Sequence, residues 1–393
     1  MGFLSGRLTF ERFQTKGKSP RQFGEEHIRT LEKFAIGQVE AASIEAPSIG
    51  FLAGKHLFDL NFDLEKNVIN DALHAAIRVD TSKIPGPLRK AWLEIELANL
   101  AADSPNGRVT RAQRQEAQEA VKARCEEELA SGRFRRMQQV PFLWDAAQKT
   151  VYFGSSSPAL QEHLRVLFET AFDLELRRVT AGTVAETLAE SKGWSKAFDK
   201  LAPSPFSPDS ATEQVDWLGQ QPDSVDYLGN EFLLWLWWWL ETQSDSISLS
   251  DESKVTGMLN RTLALQCPRG ESGKESITAD APTRLPESLQ ALKSGKLPRK
   301  VGMSLVRDGE QYDLVLQAES LAVGAAAIES PDREKGRSAL EERVAAVRRL
   351  SETIDLLFEA FLAQRLGRKW NEPLDSIQTW LQKGRPALQR KAG

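Results

Sequence analysis

Along the chain, hydrophobic positions repeat with two different periods, and the switches between them mark out the elements. Residues 4–13 alternate, with Leu8 and Phe10 separated by polar side chains, and predict a strand. From Pro20 onward Phe23, His27, Leu31 and Phe34 fall at helical spacing. Residues 67–80 (NVINDALHAAIRVD) read as a strand region with an ambiguous start. Pro85 and Pro87 then open an amphipathic helix through Trp92, Ile95 and Leu100, which residues 104–107 (SPNG) close. A further helix spans residues 110–130 and ends at Ser131-Gly132. Residues 133–156 predict a β-hairpin, RFRRMQQVPFLWD and TVYFGSS, about a turn over residues 146–149. Ser157-Pro158 starts a helix whose apolar face is Leu160, Leu164, Leu167, Phe168 and Ala171, and residues 174–180 return as a strand. Helices alternating with mostly antiparallel strands define an α+β class.

Residues 201–230 break this pattern. They hold Pro203, Pro205, Pro208 and Pro222, the acids Asp209, Glu213, Asp216, Asp223 and Asp226, and no Lys or Arg, the signature of a linker. Next comes EFLLWLWWWLE, apolar on every side, which predicts an element buried in the core or in a subunit interface. Strand-like segments follow at residues 247–249, 263–267, 301–306 and 312–317, and a charged loop at 330–337 leads into a long helix. There Leu340, Val347, Ile354 and Phe361 recur every seven residues, as core or as a dimer seam. The division expected is an α+β region over 1–200, the acidic linker 201–230, a mixed region 231–330 and a helical region 331–393.

Composition narrows the function. With 51 basic against 55 acidic residues the net charge is −4, which excludes a chain that coats nucleic acid with its whole surface but leaves room for local basic patches. Two cysteines, Cys125 and Cys267, and four scattered histidines fit a reducing compartment and suggest no zinc site. The apolar run 232–240 is far shorter than the ~20 residues of a membrane-spanning helix, and the N-terminus lacks the core of a signal peptide. A soluble, cytoplasmic protein is expected.

Catalytic signatures are sparse. No phosphate-cradling glycine loop occurs, and Gly154 followed by Ser155, Ser156 and Ser157 reads as a hairpin exit and helix cap. The acids Asp59, Asp63, Glu65 and Asp71 are the one N-terminal carboxylate cluster that a metal-dependent nuclease would need; otherwise they are a solvated loop and strand edge. Basic residues are more informative by position. On the helix over 110–130, Arg111, Arg114, Gln118 and Lys122 share one face that could track phosphates. The next segment adds Arg133, Phe134, Arg135 and Arg136. A second patch, Lys293, Lys296, Arg299, Lys300 and Arg307, has no acid between Ser288 and Arg307, and SGKLPRK reads as a loop able to reach a phosphate backbone. The tail adds Arg368, Lys369, Lys383, Arg385, Arg390 and Lys391. Trp235, Trp237, Trp238 and Trp239 have no cations between them, unlike a base-stacking platform.

The segments DALHAAIRVDTSKIPGPLRKAWLEIEL, TRAQRQEAQEAVKARCEEELASG, RFRRMQQVPFLWD with TVYFGSSS, and PALQEHLRVLFETAF resemble, in that order, the RdgC family of bacterial recombination-associated DNA-binding proteins. FLSGRLTFERF and EFLLWLWWWLE resemble longer members, and the C-terminal half diverges. The resemblance implies a non-enzymatic homodimer closed into a ring around double-stranded DNA, bound without sequence preference, nucleoid-associated and restraining the RecA recombinase. It matches the basic-aromatic strand to the family's hairpin, with Phe134 and Arg136 on the family's Phe and Arg positions, and these two are taken with the basic residues above as candidate DNA-binding residues. The alternatives are a metal-dependent exonuclease using the Asp59–Asp71 carboxylates, and an interaction scaffold that ignores DNA. No cofactor is implied.

Overall fold

The computed structural model describes residues 2–38, 46–104, 107–207, 215–218, 224–328 and 336–383. In chain order the first half contains β1 (Leu8–Lys16), α1 (Glu25–Lys33), β2 (Ser48–Leu52), α2 (Leu64–Asn67), β3 (Val68–Ile69), β4 (Ala72–Ser82), α3 (Gly86–Ala102) and α4 (Arg111–Ala130). β5 (Arg135–Asp145), β6 (Thr150–Phe153), α5 (Pro158–Phe172), β7 (Glu175–Arg178), α6 (Ala181–Lys192) and α7 (Ser195–Phe198) follow. The second half adds α8 (Leu228–Thr242), β8 (Ser246–Ser248), β9 (Lys254–Gln266), β10 (Lys274–Ala279), α9 (Pro286–Lys293) and β11 (Leu297–Arg307). It closes with β12 (Glu310–Gln317), β13 (Val323–Ile328), α10 (Arg337–Arg365) and α11 (Asn371–Lys383). The fold is α+β.

Among the described residues thirteen strands join one antiparallel sheet, with the path β10-β9-β11-β12-β13-β1-β6-β5-β4-β2. The N-terminal and C-terminal halves meet where β1 pairs with β13, Leu8 opposite Ala326 and Phe10 opposite Val323. Period-two alternation sorts side chains to two faces. On one face of the N-terminal half, Phe13, Phe51, Ile77, Phe142, Trp144 and Phe153 pack against Leu164 and Phe168 of α5 and Leu31 of α1. Rings there meet edge to face, as Phe142 and Phe168 do at 5.3 Å.

The opposite face is one continuous core. Phe3, Leu8, Phe10, Leu143 and Tyr152 share it with Leu263, Val301, Met303 and Leu314 of the C-terminal half, under α8 and α10. The tryptophan segment forms α8, and Trp235 and Trp237 are wholly buried in this chain, Trp237 edge-on to Trp380 at 5.9 Å. Gly229 is required at the start of α8 because a Cβ would collide with the Ala318 carbonyl. The seven-residue positions Val347, Ile354 and Phe361 of α10 are buried in the same core. In the C-terminal half the reverse face stays open, with Met258 58% exposed.

Several expectations shift. The first strand begins at Leu8 and the first helix at Glu25. The segment 67–80 splits into β3 and β4 around a turn at Asn70 and Asp71, both with positive φ. Strand β5 has 11 residues and β6 only 4, so the hairpin ladder covers Phe142–Asp145 with Thr150–Phe153 and no more. The rest of β5, from Arg135, pairs with β4 along its whole length. Within residues 201–230, Phe206 and Val215 are buried, and the carboxylate of Glu231 accepts from the Ser204 N–H at 2.6 Å. Pro208, Asp209, Glu213, Pro222 and Asp223 lie outside the described residues, as do Pro105 and Asn106, most of the loop 330–337, and Arg385, Arg390 and Lys391. No helix among the described residues is long and apolar enough to cross a membrane.

Truncating Trp237 to Ala is expected to lower stability by about 3–5 kcal/mol in urea titration, because the site sits between packed helices and cannot collapse. Burial, with Lys66 nearby, pushes His74 down from 6.5 to about 4. The unfolded chain therefore takes up a proton that the folded chain refuses, and stability falls as pH drops from 6.5 toward 4. The contribution is about 3 kcal/mol; a His74→Gln variant should lose that part of the slope.

Candidate nucleic-acid interface

Strands β4 and β5 stay paired to their ends, Ser82 opposite Arg135, and the helical pair α3–α4 is inserted between them. Pro87 supplies a preset φ in the first turn of α3. Thr110 and Gln113 form a capping box at the start of α4, and Gly132, with φ of 74°, follows its end. Among the described residues, the only extensive packing partner of each helix is the other. Trp92 is the one buried side chain of α3, and the Arg124 guanidinium lies 4.6 Å over its ring. The pair thus projects from the end of a two-stranded ribbon.

Arg111, Arg114 and Lys122 are exposed along one edge of α4. Lys122 leans toward Glu126 at 3.9 Å, whereas Arg111 and Arg114 form no ion pair among the described residues. A groove between the helices is lined by Arg89, Lys90, Gln118 and Lys122. At the root of the pair the basic segment divides. Arg133 is held by Glu128 at 2.9 Å, and Phe134 is half-buried in the turn into β5. Arg135 bonds Asp80 at 2.5 Å, and Asp80 also takes both arms of the Arg78 guanidinium. Arg136 points to the other face of the strand, exposed and without an ion pair among the described residues.

The second basic patch is not a loop. Pro298, Arg299 and Lys300 belong to β11, and Lys296, 6% exposed, donates to Glu275. Arg299 pairs with Glu319 and stacks over Trp217 at 4.5 Å. Lys300 alone of these three is exposed. Arg307 lies between Asp251 at 2.5 Å and Glu352 at 3.0 Å. Lys296, Arg299 and Arg307 therefore hold the C-terminal half together, whereas Lys293 and Lys300 are exposed.

The acids Asp59, Asp63, Glu65 and Asp71 do not converge. Asp59 is buried, which favours its neutral form, but Lys66 Nζ at 2.7 Å and the N–H groups of Lys55 and Asn61 hold its carboxyl below the usual range. Asp63 caps α2. Among the described residues no three His, Cys, Asp or Glu side chains are grouped so as to hold a metal ion. Ser157 is the N-cap residue of α5.

No protein-family model matches the chain, and no curated protein matches it.

Lys296→Ala should lower stability by about 2 kcal/mol, because it strips Glu275 of a charged hydrogen bond. Lys300→Ala should leave it within about 0.5 kcal/mol. Thermal melts of the two variants compare the buried and the exposed lysine directly.

Proposed function

We propose that the protein is a non-enzymatic, sequence-independent binder of double-stranded DNA, an RdgC-like homodimer acting on recombination by restraining the RecA recombinase at the nucleoid. The observation that supports this most is the projecting helical pair. It carries Arg111, Arg114 and Lys122 on one exposed edge, with Arg136 at its root, and three of these four cations have no acidic partner among the described residues. Such cations suit phosphate oxygens, which arginine can grip with two N–H groups at once. Contacts to the backbone alone carry no base information, so the binding would be indifferent to sequence.

Homodimer formation has its own support. Leu93 and Leu97 of α3 are only half-buried and Ile95 is 52% exposed, so this helix has apolar surface that the described residues do not cover.

Fluorescence anisotropy with labelled duplex and single-stranded DNA, in EDTA and across a salt series, tests the reading. Duplex affinity should fall linearly in log salt, with about 0.9 of slope per phosphate contact. Combining Arg111→Ala, Arg114→Ala and Arg136→Ala should weaken binding at least tenfold on every sequence tried and flatten the slope. Absence of binding at low salt would refute the proposal.

A further inference from the structure

The largest exposed aromatic among the described residues is Phe58, 66% accessible, on the loop that links β2 to α2. An isolated exposed Phe needs no explanation, but this one sits in a constructed setting. The loop is pinned from beneath by Asp59, which accepts from the N–H groups of Lys55 at 2.9 Å and Asn61 at 3.3 Å and from Lys66 Nζ. Ala53 donates to the Asp59 carbonyl at 2.8 Å, and Gln139 of β5 donates to the Gly54 carbonyl at 2.8 Å. With its base held this way, the loop turns Phe58 and Leu60, 49% exposed, toward solvent. One face of the Phe58 ring rests on the Arg78 guanidinium, 5.2 Å from the ring centroid. Arg78 is joined through Asp80 to Arg135. Met137, 37% exposed, touches the same guanidinium.

Asp59 and Asp80, which hold this loop and its neighbour Arg78, are buried and matched by Lys66, Arg78 and Arg135, while Lys55 stands exposed beside Phe58 and the Phe58 N–H donates to His56 Nδ1. The surface is thus an apolar point held from beneath, with Lys55 and the part-exposed Arg135 on its flanks. Phe, Leu and Met are the side-chain types that wedge between base steps of a duplex, and cations around them meet the flanking phosphates. A single aromatic is too little for a platform that stacks successive bases of a single strand.

We infer that Phe58, backed by Leu60, is a wedge that enters the minor groove of bound duplex DNA and opens one base step, bending the DNA about the β4–β5 ribbon. This inference rests on the DNA-binding reading above and adds a deformation to it. The salt-dependent contacts set affinity, and the wedge sets shape.

The test uses the full chain and duplexes carrying a single 2-aminopurine, whose fluorescence rises when its stack opens, with anisotropy measured in parallel. Wild type should bind and raise the fluorescence. Phe58→Ala should bind roughly tenfold more weakly with an unchanged salt slope and no rise, and Phe58→Trp should keep the rise. Met258→Ala, removing another exposed apolar side chain on the open face of β9, should behave as wild type. Because Phe58 is exposed, its alanine variant should keep the wild-type melting curve, which checks folding. If Phe58→Ala binds within twofold of wild type and still raises the fluorescence, the wedge is wrong and DNA binding stands. Wild type that binds no duplex at low salt overturns both. A change of sedimentation mass in Phe58→Ala, with the DNA signals intact, also overturns the wedge and assigns the tip to a protein contact.

Discussion

The structure depends on one helix crossing between two halves of a sheet. At 29 residues α10 is about 43 Å long, enough to lie over both the β1–β6 region and the β11–β13 region. Its apolar stripe buries Val347, Leu350, Ile354 and Phe361, and its polar positions are fastened from either side. Arg12, almost fully buried in β1, bonds both oxygens of Asp355 at 2.6 and 2.8 Å and the Ser351 hydroxyl at 2.8 Å. Arg348 reaches Asp145 at the end of β5, and Arg349 reaches Glu310 in β12 at 2.8 Å. Arg365 at the far end pairs with the buried Glu231 of α8. These pairs each add little net stability, yet removing a partner of Arg12, Asp145 or Glu231 would leave a buried charge unmatched. They therefore fix the register of α10 more than its affinity for the sheet.

With that register fixed, the body is stiff and the rest of the chain is free to project. The helical pair α3–α4 leaves the sheet between β4 and β5, at the end of that ladder opposite the Asp145 to which α10 is tied, and the Phe58 loop leaves it between β2 and α2. The arginines that look alike in the sequence therefore take two roles. Arg12, Arg299, Arg307 and Arg365 are internal fasteners, and Arg111, Arg114 and Arg136 face solvent.

What could be read from the sequence followed periodicity. Helices α3, α4, α5 and α10 have long regular stripes or clear caps, so each was legible, as were β12 and the part of β11 from Val301 onward. Helix α6 was not, because its buried positions are Ala181, Gly182, Ala185 and Ala189, which carry almost no hydrophobic signal. Strand β13 (VGAAAI) is hidden for the same reason. Pro298 made SGKLPRK resemble a loop, yet it sits in β11 beside a register shift, where a missing N–H is tolerated. The basic run Arg133–Arg136 reads as one cluster in the sequence, whereas strand alternation and local acids separate neighbours that are adjacent in the chain. Phe58 left no trace in any pattern: its significance lies in what holds it up, and Asp59, Arg78 and Gln139 come from three different elements.

The pairing of β1 with β13 has a consequence for synthesis. During synthesis β1 finds its neighbour on that edge only when residues 323–328, from the other half of the sheet, appear. At about 5–20 residues per second, the interval is on the order of tens of seconds. Throughout it Leu8 and Phe10 have no strand beside them on that side, a template for pairing with the wrong chain. Nascent chains crowded on one message would meet each other in that state before any could close its sheet.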